Sequence, residues 1–388
     1  MLVVVLTVII AVLVGLHYYL WRRLVRDTTV KHGWPRRIGT VLTVAMPVQL
    51  VAIAVLTHDG RLSPLGWGYL WIALMFYLLI ALALLEIPRF LLHRRARTLP
   101  SAPVTDSPSA AAGPDPGRRL VLARGVAIMA GLTATGVTGY GVTSALGPPR
   151  LRRLQIPLAT LPRAMDGFRV AVVSDIHLGP LAGRAHTTRI VDMINTLDAD
   201  LVAIVGDLVD GSVAALGPAA APLRQLKSRY GTYFVNGNHE TFSGVQEWMA
   251  ELPELGVRVL RNELVRCDGL QIAGVNDPSA AGQGLGPDFT AALTGRDPQR
   301  PVVLLAHQPI LAPEAARHGV DLQLSGHTHG GQLAPFNLLV ALQQPVVSGL
   351  GRVDGMPVFV TNGAGFWGPP ARVGAPPEIV LIQLRSGR

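Results

Sequence analysis

Cysteine is almost absent from this 388-residue chain: Cys267 stands alone. One thiol excludes an intrachain disulfide and any metal site built from several thiolates, and it leaves the redox compartment open. Cys267 lies in an apolar, strand-like stretch, so it reads as a buried core thiol rather than a nucleophile. A continuous basic patch is also missing, although the net charge is +9 and the pI about 10.4. Residues 1–165 carry 18 Lys and Arg against 5 Asp and Glu, whereas residues 166–388 carry 16 against 20. The basic excess sits between hydrophobic runs, and the other half would repel a long polyanion, which argues against a nucleic-acid partner.

What the chain has in abundance is apolar residues, 49% of the total with a mean hydropathy of +0.37. That is too apolar for one ordinary soluble domain and long enough for a membrane region plus a globular one. Four uncharged runs, 2–21, 38–57, 67–85 and 125–146, are each long enough to cross a hydrocarbon core as a helix. Pro47 would kink the second, which membrane helices tolerate. The fourth is rich in Gly, Ala and Thr and follows Arg118-Arg119-Leu120-Val121-Leu122, which resembles a twin-arginine export signal. With no obvious cleavage site after it, the run is read as an uncleaved fourth span.

Six Lys and Arg residues lie between runs one and two, seven between three and four, and only Arg61 between two and three. The positive-inside rule then predicts a multi-pass cell-membrane protein whose residues after 146 are extracytoplasmic. Arg150, Arg152 and Arg153 weaken that orientation and could lie along anionic headgroups. No charged residue falls in the middle of a run, which excludes the usual transport and proton-relay chemistry and predicts an anchor. The Pro-, Ala- and Ser-rich stretch 98–117 reads as a flexible connector. The expected division is a transmembrane region, 1–147, and a catalytic domain, 148–388.

From residue 150 the rhythm changes to strand, turn, helix. Residues 168–174, 200–205 and 231–235 read as strands, 187–197 as an amphipathic helix and 223–229 as a helix end, which predicts an α/β layered fold. In such folds functional residues gather at the carboxyl ends of strands. Polar clusters stand there: Asp175-Ile176-His177, Gly206-Asp207, Asn238-His239-Glu240, His307 after 302–305, and Gly326-His327-Thr328-His329-Gly330 after 322–324. Carboxylate, imidazole and amide oxygen together suit Mn, Fe or Zn, and two divalent ions about 3.5–4 Å apart can clamp a phosphoryl centre.

In this order the clusters resemble the calcineurin-like metallophosphoesterase superfamily, and the likeness extends over roughly residues 150–388 through Gly330-Gly331-Gln332 and Pro376-Pro377-Glu378-Ile379. It is similar in particular to the membrane-associated or exported bacterial branch. The resemblance implies a four-layer α/β/β/α sandwich following the four-helix membrane region. It implies two divalent metal ions, one on Asp175, His177, Asp207 and His329 and the other on Asp207, Asn238, His307 and His327. Asp207 would bridge them, and His239 would act on the transition state or leaving oxygen. Glu240 stands where the family often has Asp, and a longer carboxylate can still orient His239.

The expected reaction is hydrolysis of a phosphodiester, pyrophosphate or phosphomonoester, with a lipid or lipid-linked envelope substrate as the leading guess. A general phosphatase on soluble esters and a non-catalytic metal-binding sensor stay open as alternatives, and the oligomeric state is not predicted. Among other residues, His186 and His318 read as surface or capping groups, and Asn276 and Asp277 as a turn. Arg372 reads as a surface arginine, with approach to a substrate phosphate as its alternative. Segment 331–355, apolar at 336–342, would with Phe366 and Trp367 either rim the cleft and touch lipid or pack within the domain.

Overall fold

The computed structural model describes residues 2–56, 67–98 and 116–387. The predicted connector 98–117 and Arg61 lie almost wholly outside them. Two compact units are present, one of residues 1–55 and 68–139, the other of residues 140–388 together with 56–67.

The first unit is helical: α1 (Leu2–Leu20), α2 (Trp34–Leu56), α3 (Leu70–Thr98) and most of α4 (Pro116–Leu146). Among the described residues three helices are long and apolar enough to cross a membrane, over Trp34–Ile53, Trp67–Ile87 and Arg119–Leu146. The first apolar run is also helical, and it continues into a π-helical turn, Trp21–Arg26. Polar groups near the ends cross-link the helices. Trp71 Nε1 donates to His17 Nε2 at 3.1 Å, Trp21 Nε1 to Thr40 Oγ1 at 2.9 Å and Arg124 Nε to the Thr28 carbonyl at 3.0 Å, while Arg23 pairs with Asp27 and Glu86.

Among the described residues the second unit contains twelve strands: β1 (Arg150–Leu158), β2 (Arg169–Val173), β3 (Leu201–Val205), β4 (Thr232–Val235), β5 (Val257–Val259), β6 (Glu263–Cys267), β7 (Leu270–Gly274), β8 (Val302–Leu305), β9 (Leu322–Ser325), β10 (Gly349–Val353), β11 (Met356–Val360) and β12 (Glu378–Ser386). They form two six-stranded sheets, ordered β1-β12-β2-β3-β4-β5 and β10-β11-β9-β8-β7-β6.

The period-2 alternation of side chains explains the layering. Val170, Val172, Ala203 and Val205 of the first sheet meet Val303, Leu305, Leu322 and Leu324 of the second in one core between the sheets. The opposite faces of the same strands, Ala171, Val173, Val202 and Ile204, pack under helices Arg184–Asn195 and Val245–Glu254. Val302 and Leu304 do the same against Phe289, Ala312 and Ala315. The result is the four-layer α/β/β/α sandwich. Strands buried on both faces read as continuous apolar runs, which is why β2, β3 and β8 are visible in the sequence.

One local expectation changes. The predicted helix end at 223–229 is a 3-10 turn, Ala221–Gln225, started by Pro222 at a position where a missing N–H does no harm. Arg152, exposed on β1, pairs with Glu378 at 3.8 Å and lies 5.7 Å from the Phe359 ring. Cys267 is buried in β6, as its apolar setting predicts.

Candidate metal centre

Every motif residue sits just beyond a strand end of the first or second sheet. Asp175 and His177 follow β2, Asp207 follows β3, Asn238 and His239 follow β4, His307 follows β8, and His327 and His329 follow β9. The two sheets lie face to face, so these carboxyl ends converge. The turns that aim the side chains use strained backbone: Asp175, His177, Asp207, His327 and His329 all have positive φ, between 49° and 71°. Left-handed backbone at a non-glycine residue is uncommon and concentrates at functional sites.

Asp175, His177 and His329 form one donor group. Asp175 Oδ1 is 3.3 Å from His329 Nε2, and the Nε2 atoms of His177 and His329 face each other at 3.0 Å. Asp207, His307 and His327 form a second. There Asp207 Oδ2 is 3.1 Å from His307 Nε2, while Asn238 Oδ1 lies 3.2 Å from His307 Nε2 and 2.9 Å from His327 Nδ1. The same Asp207 Oδ2 is 3.8 Å from His177 Nε2, so one carboxylate oxygen reaches both groups. Its other oxygen is occupied, accepting from the His239 amide at 2.9 Å.

Second contacts set the tautomers. His177 Nδ1 donates to Asp210 Oδ1 at 2.8 Å and His307 Nδ1 donates to the Val205 carbonyl at 2.8 Å, which turns each Nε2 inward. The His329 ring is buried, and its Nδ1 has no hydrogen-bond partner among the described residues. Buried, closely opposed imidazole nitrogens and a carboxylate are poorly matched to one another by hydrogen bonds alone. A divalent cation is what this donor chemistry fits.

Two glycines permit the approach. A Cβ on Gly326 would lie 2.0 Å from Ser174 Oγ and 2.3 Å from Asp175 Oδ2, and one on Gly237 would lie 2.1 Å from Asp207 Oδ1. No side chain fits at either place.

Asp210, which the motifs did not point to, is the hinge of the outer network. Its Oδ1 is 2.8 Å from His177 Nδ1 and 2.7 Å from His239 Nδ1. The only sequence signal was its place three residues after Asp207. Glu240 was expected to orient His239 and does not. Its buried carboxylate instead accepts from the backbone N–H groups of Gly237, Asp207, Leu208 and Val209 at 2.6–3.3 Å, fixing the turn that presents Asp207. Burial, then the nearby Asp207 charge, pushes Glu240 up to about 7 against those donors.

Arg372 is neither a surface group nor a phosphate ligand. It is fully buried and donates to the carbonyls of Gly365, His329, Asn362 and Ala375, so it braces the backbone of His329. His186 is mostly buried with an unpartnered Nε2, and burial, then the Arg189 charge, lowers it to about 4. His318 stacks on Phe289 at 5.3 Å, and Asp277 caps the turn Pro278–Gln283.

The electrostatics separate the imidazoles. Burial opposes a charge on His307, but Asp207 beside it outweighs burial and holds the imidazole well above its usual range. Asp207 is reciprocally drawn well below the usual carboxylate range despite burial, first by His307 and then by His239 and His177. His329 goes the other way: burial, then the charges of Arg372 and His177, drive it well below. At His239 burial is overcome by the hydrogen bond to Asp210 and the charges of Asp207, Asp210 and Glu240, which raise it to about 9. Trp367 and Phe242, both exposed, flank His239 edge-on with ring centroids 6.2 and 6.1 Å away.

A sheet-edge cluster of carboxylate, imidazole and amide ligands between two facing sheets has the donor set of a divalent-metal centre. Residues 168–331 match the calcineurin-like phosphoesterase family. An uncharacterised metallophosphoesterase of Helicobacter pylori is 37% identical over 272 residues, covering 69% of this chain and 73% of that protein. One from Bacillus subtilis is 30% identical over 269 residues, covering 66% and 92%. A transmembrane protein with metallophosphoesterase domain from Bos taurus is 40% identical over 289 residues, 70% of this chain and 64% of that protein. The chain thus spans just under two thirds of the bovine relative's length. It belongs to the calcineurin-like phosphoesterase family.

Proposed function

We propose that this chain is a membrane-anchored phosphoesterase working with two divalent cations on a lipid or lipid-linked phosphate ester. Residues 1–147 would be the membrane region and 148–388 an extracytoplasmic catalytic domain. Asp175, His177, Asp207 and His329 would hold one cation, and Asp207, Asn238, His307 and His327 the other. The observation that carries this reading is the single Asp207 oxygen within 4 Å of an imidazole nitrogen in each donor group.

When bound, the cations supply positive charge for the phosphoryl oxygens and make water a better nucleophile. The chain does the rest. Asp210 holds His239 through Nδ1, leaving Nε2 to carry a proton that the leaving oxygen can take as the ester bond breaks. With the imidazole raised to about 9, that proton is in place at neutral pH. Glu240 and Arg372 keep the Asp207 and His329 turns still, so the donors need not reorganise during turnover. The apolar helices and the bovine relative's name support the membrane assignment.

The test is hydrolysis of bis-p-nitrophenyl phosphate by the purified full-length chain with Mn²⁺, beside Asp207→Ala and His239→Ala. Wild-type turnover no greater than that of either variant overturns the reading. Protease digestion of the catalytic domain from outside intact bacterial spheroplasts tests the orientation, and protection there reverses it.

A further inference from the structure

The metal cleft has an apolar shoulder that the chemistry leaves unused. Helix Asn337–Val340 and its flanks expose Phe336, Leu338, Leu339 and Leu342 to 44, 66, 57 and 83%. Four large apolar side chains within seven residues of sequence, outside the three cores of the domain, are an unusual thing to leave in water.

This shoulder is fastened to the centre. The backbone of Asn337 lies so close to Gly331 that a Cβ there would be 2.4 Å from Asn337 Cα, and Gly331 is two residues from His329. Gln332, next in the chain, clamps the Trp367 loop: its Nε2 donates to the Trp367 carbonyl at 2.8 Å, and the Trp367 amide donates to its Oε1 at 3.0 Å. Trp367 is 57% exposed and stands edge-on to His239. A continuous set of braced elements therefore runs from an exposed leucine patch to the imidazole assigned to the leaving group.

We propose that Phe336, Leu338, Leu339 and Leu342, with Trp367 at their side, form a platform that inserts into the interfacial layer of a lipid bilayer. The inference rests on the membrane-anchored phosphoesterase reading and says how its site meets a lipid. Three features favour a bilayer over a protein partner. The chain carries helices able to span one. Only residues 147–149 separate α4 from β1, so the domain that carries the platform is tethered directly to a helix long and apolar enough to span a bilayer. Leucine and phenylalanine beside an exposed tryptophan is also the composition that settles at the boundary of headgroups and acyl chains.

The experiment places an NBD fluorophore on Leu339→Cys, and separately on Leu342→Cys, in the full chain. Cys267 is buried and escapes labelling. A third label goes on Gln299→Cys, in the exposed turn before the amino end of β8, the strand whose carboxyl end leads to His307. The chains are reconstituted in phosphatidylethanolamine–phosphatidylglycerol vesicles containing lipid spin-labelled near the top of the acyl chain. Unchanged thermal unfolding midpoints verify that the labelled chains fold. At least about twofold stronger quenching at positions 339 and 342 than at 299 is expected of an interfacial platform. Equal quenching at all three overturns the proposal. So does a blue-shifted but unquenched label, which marks a protein partner such as a second copy. Quenching needs no turnover, so failure here leaves the phosphoesterase reading standing, and absence of turnover leaves the quenching result readable.

Discussion

The donor group around His329 and the one around His307 meet at Asp207 yet prepare their imidazoles in opposite ways. In the first, burial and the buried Arg372 charge keep His329 neutral, and its Nε2 lies 3.0 Å from that of His177. In the second, Asp207 sits against His307 and favours its charged form. A cation entering the first group meets a His329 held neutral, whereas one entering the second must displace a proton from His307. The two sites differ less in donor type than in what occupies them before metal arrives.

The comparison can be broken at its shared point. Replacing Asp207 with Ala removes the one oxygen common to both groups. It should bring phosphoester turnover to background and lower metal content at both sites, measured by elemental analysis; retention of full metal content would show that the groups are independent. His239→Ala should reduce turnover about 10²–10⁴-fold with metal content unchanged, separating proton donation from metal holding.

Two substitutions should act on one side only. Asp210→Asn and Arg372→Met each remove an outer partner of the first group, and each should weaken metal binding there about 10–100-fold while the second site keeps its affinity, as titration calorimetry would resolve. Asp210→Asn also removes the leading support for the raised His239 proton affinity. The alkaline limb of the pH–rate profile should then move to lower pH. Arg372→Met should leave that limb in place.

The smallest effect is pH itself. His307 has its proton affinity raised, so below its folded pKa the proton competes with the cation, and affinity falls as pH falls. The slope should approach about tenfold per pH unit for one displaced proton at the second site. At the first site, where His329 is already neutral, it should be shallower. Equal slopes at both would remove the distinction drawn here.

What could be read from the sequence was whatever depends on runs and on strand ends. Double-sided burial writes β2, β3 and β8 as unbroken apolar stretches, and the polar clusters after them are the side chains that converge. What could not be read depends on distant backbone. β1 and β12 pair in parallel over nine residues from opposite ends of the domain, and Arg150 to Ser386 carry no local sign of it. Arg372 lies among prolines and glycines and looks like a loop residue; its burial is set by carbonyls of residues 329, 362, 365 and 375. Glu240 looked like a partner for its neighbour His239, and only the closing of the Asp207 turn shows four amides waiting for its carboxylate.

The left-handed turns at Asp175, His177, Asp207, His327 and His329 set a ceiling on how robust this fold can be. At such backbone angles glycine is the relaxed occupant, and an L side chain costs about 1–2 kcal/mol. Selection for turnover therefore holds the apo scaffold below the durability its own architecture permits. An inert version with glycine at His327 should outlast the natural chain on heating, and the gap between the two melting curves would measure how much ruggedness the domain gives up to do chemistry.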